Sequence, residues 1–170
     1  AAICRAYLEH GMQQLPQPVQ LYLIGPLFRY DRPQKGRYRQ HWQFGFEIIG
    51  ISDPSLDAQL INVLTRIFAD LKILDRLKLQ INNIGEAEDR QAYKQALQEH
   101  FAGKERHLCE DCRRRLTVNP LRILDCKNKD CHILMKLAPT LGRFVGDESK
   151  KFHALLLEYL EEYNIPYEEN

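Results

Sequence analysis

From Arg39 to Ile48 the chain alternates: Trp42, Phe44, Phe46 and Ile48 fall on one side of an extended backbone, and Arg39, His41, Gln43, Gly45 and Glu47 on the other. A period of two over this stretch predicts a strand with a core side and a polar side, and it excludes an amphipathic helix there. The preceding run, Val19 to Tyr30, is rich in β-branched and aromatic residues and predicts a partner strand, with Asp31 to Gly36 (DRPQKG) as the turn between them. A hairpin with one apolar side needs a covering layer, and the next segment offers one. Asp53-Pro54 supplies an N-cap and a proline at the first helical position, after which Leu56, Leu60, Leu64, Ile67, Phe68, Leu71 and Leu74 recur near helical spacing.

Elsewhere the pattern is mainly helical. Ala1 to Gln14 predicts a short helix stopped by Pro16 and Pro18, whose rings fix the backbone and remove donors. Lys78 to Ile84 reads as a strand, and Glu86 to His100 joins strong helix formers to an acidic first turn. From Asp147 to Tyr163 a last helix places Phe152, Leu155, Leu156, Tyr159, Leu160 and Tyr163 on one stripe. The expected class is α+β. An antiparallel sheet portion with helices occupies residues 1–85, a helical domain 86–165, and 166–170 begin a strand returning to the core.

At 170 residues, 44% hydrophobic and 28% charged, the chain has the composition of a packed domain or a domain and a part. Its 24 basic and 23 acidic residues nearly cancel, so any nucleic-acid contact must be local. The longest apolar run, Leu21 to Phe28, is far shorter than the roughly 20 residues of a membrane-spanning helix, so no membrane partner is expected. Ala1 to His10 lacks a secretory pattern, and five cysteines, one of them isolated at Cys4, do not form a disulfide framework. A reducing, cytoplasmic setting is expected. The chain opens in a helical pattern without Met and stops at IPYEEN, which reads as an internal piece of something longer.

Residues 28–39 hold Arg29, Arg32, Lys35, Arg37 and Arg39 against the single acid Asp31. Guanidinium groups stay charged and grip phosphate oxygens in pairs, and Gly36 lets the loop turn close to a ligand. On charge alone a solvated hairpin tip explains this as well. The polar side of the next strand adds Gln43 and Glu47, a carboxylate and an amide able to hold an ammonium group, with Gly45 leaving space between them.

The run FRYDRPQKGRYRQHWQFGFE (Phe28 to Glu47) resembles the second signature motif of the histidyl-tRNA synthetases, which are class II aminoacyl-tRNA synthetases. AAICRAYLEHG resembles the helix after that family's substrate-binding threonine loop, and NPLRILDCK (Asn119 to Lys127) resembles its insertion domain, so the likeness runs the length of the chain. It implies part of a class II catalytic core (residues 1–85) followed by a helical insertion domain (86–165). It also implies a two-step ligation: histidine attacks the α-phosphate of ATP, giving histidyl-adenylate and pyrophosphate, and then passes to tRNA(His). By motif position Arg29 is the catalytic residue at the α-phosphate, Arg37 binds the outer phosphates, Asp31 and His41 lie at the adenine end, and Gln43 with Glu47 hold the substrate amino group. Arg39 reads as support. Mg2+ with ATP and a homodimeric parent are implied too. Asp31 stands where the family usually has Glu, and His41-Trp42 where it has Phe followed by His or Tyr, which implies a shifted nucleobase contact. The motifs before and after this stretch are missing, so the isolated chain is expected not to activate histidine.

Cys109-x2-Cys112, thirteen residues, then Cys126-x4-Cys131 has nearly the spacing of a structural zinc site. Against it, the resemblance requires no metal, the second pair is spaced by four, and free cysteines pack as small hydrophobes. No metal ligands are assigned from sequence, zinc is left open, and His107 and His132 read as surface residues. Residues 100–130 carry eight basic against five acidic residues. Arg113, Arg114 and Arg115 suit a surface that reads an RNA backbone, here the acceptor arm of tRNA(His), although a charged helix face explains them equally.

Two rivals share these features. One is the synthetase-like regulatory subunit of ATP phosphoribosyltransferase, which binds histidine without charging tRNA; the presence of Arg29, Arg37, Gln43 and Glu47 argues against it. The other is a non-catalytic RNA-binding synthetase-like domain.

Overall fold

The computed structural model describes residues 2–30 and 32–169. They form two compact units, one ending at Asp75 and the other beginning at Arg76.

The first unit is built on a ribbon of two antiparallel strands, β1 (Val19–Phe28) and β2 (Gln40–Ile49), paired without a bulge from Val19↔Ile49 to Phe28↔Gln40. Helix α1 (Ala2–Glu9) precedes it, and its one buried side chain, Tyr7, donates its hydroxyl to Gln17 at 3.2 Å. Helix α2 (Pro54–Asp70) follows the ribbon. It starts where the sequence places it, because the Asp53 carboxylate accepts the Ser55 N–H at 2.8 Å and Pro54 occupies a position that needs no donor.

Ile67 and Leu71 line one groove with Ile24, Trp42, Phe44 and Phe46, and the Phe44 and Phe46 rings lie 5.9 Å apart. So the apolar side of β2 does face the helix, but the expected core is not closed. Trp42 remains 73% exposed and Phe44 is also exposed. A lone helix beside a ten-residue ribbon has too little surface to cover all of it, and alternation specifies a side, not its cover.

The second unit opens with β3 (Leu79–Ile81), whose parallel partner is β4 (Tyr167–Glu169), so the segment between them leaves and returns to one edge. Helices α3 (Ala87–Phe101), α4 (Glu110–Val118), α5 (Lys129–Met135) and α6 (Asp147–Glu162) lie between. The core joins Tyr93, Leu97 and Phe101, one stripe of α3, to Leu108, Cys112, Leu116, Ile123, Cys126 and Cys131. A fully buried side chain such as Leu97, Phe101 or Ile123 contributes about 1.5–3 kcal/mol by leaving water. On α6, Leu156 and Leu160 are buried while Leu155 and Tyr163, at the edges of the stripe, stay exposed.

A carboxylate ties two helix starts together. Asp89 accepts the Glu86 N–H at 2.9 Å, closing a capping box on α3, and the Gly146 N–H at 3.1 Å, at the N-cap of α6. Those two N–H groups hold its carboxyl below the ordinary range. Nearby, Asn83 donates to the Ser149 carbonyl at 2.9 Å and accepts from its hydroxyl at 3.0 Å.

Candidate active site

In an antiparallel ribbon directly opposed residues share a face. The register opposes Leu27 to His41, Gly25 to Gln43, Leu23 to Gly45 and Leu21 to Glu47. Past the strand ends the ladder continues by one pair, since the Arg29 N–H donates to the Arg39 carbonyl at 2.8 Å. Arg29, Arg39, His41, Gln43 and Glu47 therefore belong to one face. Sequence reasoning found Gly45 as the gap in this face but missed Gly25, because the partner of Gln43 is known only once the register is.

The two glycines leave bare backbone opposite Gln43 and between Gln43 and Glu47. A Cβ on Gly25 meets nothing within 4 Å, and one on Gly45 only the Gln43 amide nitrogen at 3.9 Å. Arg29 and Gln43 are exposed, and His41 and Glu47 half-buried. The Arg39 guanidinium sits over the Tyr30 ring, 5.3 Å from its centre, which holds it against the ribbon.

The hairpin tip is a tight turn. Gln34 and Arg37 exchange backbone hydrogen bonds of 3.3 and 2.8 Å, and Gly36 takes φ +79°, a left-handed conformation that suits glycine. Arg37, at the stem of this turn, is exposed. Asp31 lies outside the described residues.

The three consecutive arginines of α4 separate in space, because successive helical residues point about 100° apart. Arg113 is exposed, Arg114 pairs with Asp111 at 3.4 Å, and Arg115 donates to the Arg122 carbonyl at 3.1 Å. So Arg115 holds the turn at residues 120–123.

The four clustered cysteines converge. One sulfur from each of Cys109, Cys112, Cys126 and Cys131 lies within 4.8 Å of the others, and the last three residues are buried. Burial pushes the Cys112 and Cys131 thiols up, whereas the Cys112 N–H, donating to the Cys109 sulfur, pulls the Cys109 thiol down. His107 and His132 are not members of the group.

The antiparallel ribbon, its flanking helix and the helical segment bracketed by β3 and β4 define a portion of a class II aminoacyl-tRNA synthetase. The chain belongs to the histidyl-tRNA synthetase family, whose profile matches residues 2–120. It is 46% identical over 169 residues to the histidine–tRNA ligase of Geobacillus sp. (strain WCH70) and 47% identical over 170 residues to that of Dehalococcoides mccartyi, spanning 99 and 100% of this chain. The crystal structure of apo S. aureus histidyl-tRNA synthetase matches 99% of the chain with a TM-score of 0.74 at 38% identity. The chain spans about 40% of the length of these relatives. Among the described residues no helix is long and apolar enough to cross a membrane.

Proposed function

We propose that this chain carries part of the active site of a histidine–tRNA ligase, which activates histidine with ATP and transfers it to tRNA(His). The observation that carries the reading is the shared face of Arg29, His41, Gln43 and Glu47 over bare backbone at Gly25 and Gly45. It offers a cation at one end and an acceptor pair at the other, which suits a substrate holding both a phosphate and an ammonium group.

In this reading Gln43 and Glu47 hold the ammonium of histidine, which turns its carboxylate toward the α-phosphate. Arg29 meets the charge that grows on that phosphate as the carboxylate oxygen bonds to phosphorus and pyrophosphate leaves. A fixed guanidinium stabilises such a transition state without any covalent enzyme intermediate, and losing one preorganised donor of this kind typically costs about 100- to 1,000-fold in rate. Arg37, out on the turn, binds the outer phosphates. By motif position His41 and Asp31 are assigned to the adenine end. Mg2+ accompanies ATP in this chemistry, but the one metal-ligating group among the described residues is made of cysteines, so no residue here is assigned to Mg2+.

The pairing of β3 with β4, which brackets the helices, supports reading residues 86–165 as an inserted helical domain, with Arg113, Arg114 and Arg115 as its candidate tRNA contacts. A homodimeric, cytoplasmic parent completes the reading. The relatives, named histidine–tRNA ligases, do not favour the regulatory or RNA-binding alternatives.

Amino-acid-dependent exchange between ATP and pyrophosphate by the full-length parent tests this. Exchange with histidine alone is expected. A folded parent that binds histidine yet shows no exchange overturns it in favour of the regulatory reading.

A further inference from the structure

The reaction proposed above leaves the cysteine quartet of the second unit unused, yet its four sulfurs converge on one point. Two sulfurs come from the start of α4, where Cys109 is the N-cap, one from the loop after residues 120–123 and one from α5. Small hydrophobes have no reason to turn four sulfurs toward one point. These do, within 4.8 Å of one another, and Cys109 and Cys126 stand 3.8 Å apart.

We propose that Cys109, Cys112, Cys126 and Cys131 form a structural site for one zinc-class divalent ion held by four thiolates. Sulfurs placed about 2.3 Å from a central ion at tetrahedral corners stand about 3.8 Å from each other. The Cys109–Cys126 separation already has that value, and no pair exceeds it by more than about 1 Å, a movement within side-chain reach. An iron–sulfur cluster spreads its cysteine ligands over separate metal atoms and needs a wider cage than this.

Backbone donors around the sulfurs suit the thiolate form that burial alone opposes. Backbone N–H groups donate to Cys131 from Cys109 at 3.3 Å and to Cys126 from Asn128 at 3.4 Å, and Cys112 donates to Cys109. Neutral thiols are poor acceptors, so such donors gain most when the sulfur is a thiolate, and they fix its orientation as outer partners of metal ligands do. Four thiolates in one apolar setting repel each other unless a cation lies among them. Binding exchanges four thiol protons for one ion, leaving a net charge of −2 on the group, and Lys127, Lys129, Arg106 and Arg113 follow or precede the ligands closely in sequence. Four cysteine ligands fill the positions of a tetrahedral ion and leave none open for a substrate, which makes the site structural.

The ion's work would be mechanical. Helices α4 and α5 have nine and seven residues, too short to persist alone in water, and the quartet pins the first turn of one to the other. It also anchors the loop that carries Arg122, the carbonyl partner of Arg115.

The 170-residue chain, purified without chelator, is analysed by plasma mass spectrometry and expected to hold about one zinc per chain. Metal-free, reduced chain titrated with Co2+ should show sulfur-to-cobalt charge transfer and the intense visible bands of a tetrahedral thiolate site. Cys109→Ser, at the least buried ligand, should lower zinc content at least tenfold, while Cys4→Ser should leave it unchanged. Zinc below about a tenth of an equivalent together with a Co2+ spectrum lacking those bands overturns the proposal. So does a purified chain whose intact mass shows these cysteines oxidised to disulfides, or metal retained in full by Cys109→Ser. The cobalt spectrum is read on unaltered chain, so a variant that fails to fold does not blunt the test.

Discussion

Gly25 and Gln43 stand directly opposite each other across the ribbon, so the Gln43 amide has no side chain facing it on the strand beside it. Two residues along β2 from Gln43, and diagonal to Gly25, Gly45 repeats the gap before Glu47. Neither glycine is required by backbone conformation, since neither has a positive φ, and neither is required by packing, since a Cβ meets no close atom. What remains is space on the face that carries Arg29 and Glu47.

That space yields the first prediction. Gly45→Val in the parent should keep or slightly raise the thermal midpoint, because glycine in a strand costs about 0.5–1 kcal/mol relative to a residue with a Cβ. Histidine-dependent exchange should fall at least tenfold, chiefly through KM for histidine. A variant with normal KM would remove Gly45 from the binding floor.

The sequence shows such features unevenly, and the reason is the range over which each is decided. Helix α2 is legible because its cap, proline and leucine spacing are all local, and the ribbon is legible because β2 alternates. Pairing of β3 with β4 is invisible to local pattern, as nothing in LQI names YEE as its neighbour. For the same reason the cysteine spacing suggests a metal but leaves it undecided: the thirteen residues between the pairs pass through α4 and a further turn, and only the fold brings the second pair back. Arg113, Arg114 and Arg115 are equivalent in a line of letters, and only the fold shows that Arg114 meets Asp111 while Arg115 meets the Arg122 carbonyl.

Trp42, the sole tryptophan, gives the second prediction. Being 73% exposed at the far end of the apolar face, it should emit as a solvated indole in the 170-residue chain and be quenched readily by iodide. Emission that is blue-shifted and protected, and that moves red on dilution, would mean that copies of the chain associate through the ribbon.

Asp89 carries a pH prediction. The N–H groups of Glu86 and Gly146 depress its folded-state pKa below the unfolded value of about 4. Its stabilising contribution is therefore complete above that unfolded value and is lost as pH falls through the lower folded one. Thermal midpoints of the chain and of Asp89→Ala should differ most near neutrality and converge in acid. A gap that stays constant with pH would show that the carboxylate charge at this junction of α3 and α6 is immaterial.

The arginines of α4 separate charge from structure. Arg113→Glu with Arg114→Glu changes two exposed side chains, so the midpoint should hardly move, because substitutions at such positions usually stay within about 0.5 kcal/mol. If these residues meet the phosphates of tRNA(His), the parent's affinity should drop and its salt dependence should flatten by roughly one unit of slope per lost contact. Arg115→Ala should behave differently. It removes the donor to the Arg122 carbonyl, which costs about 1 kcal/mol of stability, while the salt slope stays as it was. Filter-binding titrations over a range of salt, run beside melting curves, distinguish the two outcomes. Slopes equal to the unaltered parent's in both variants would take the whole of α4 off the RNA surface, and a flattened slope for Arg115→Ala alone would reverse the division of labour argued from the structure.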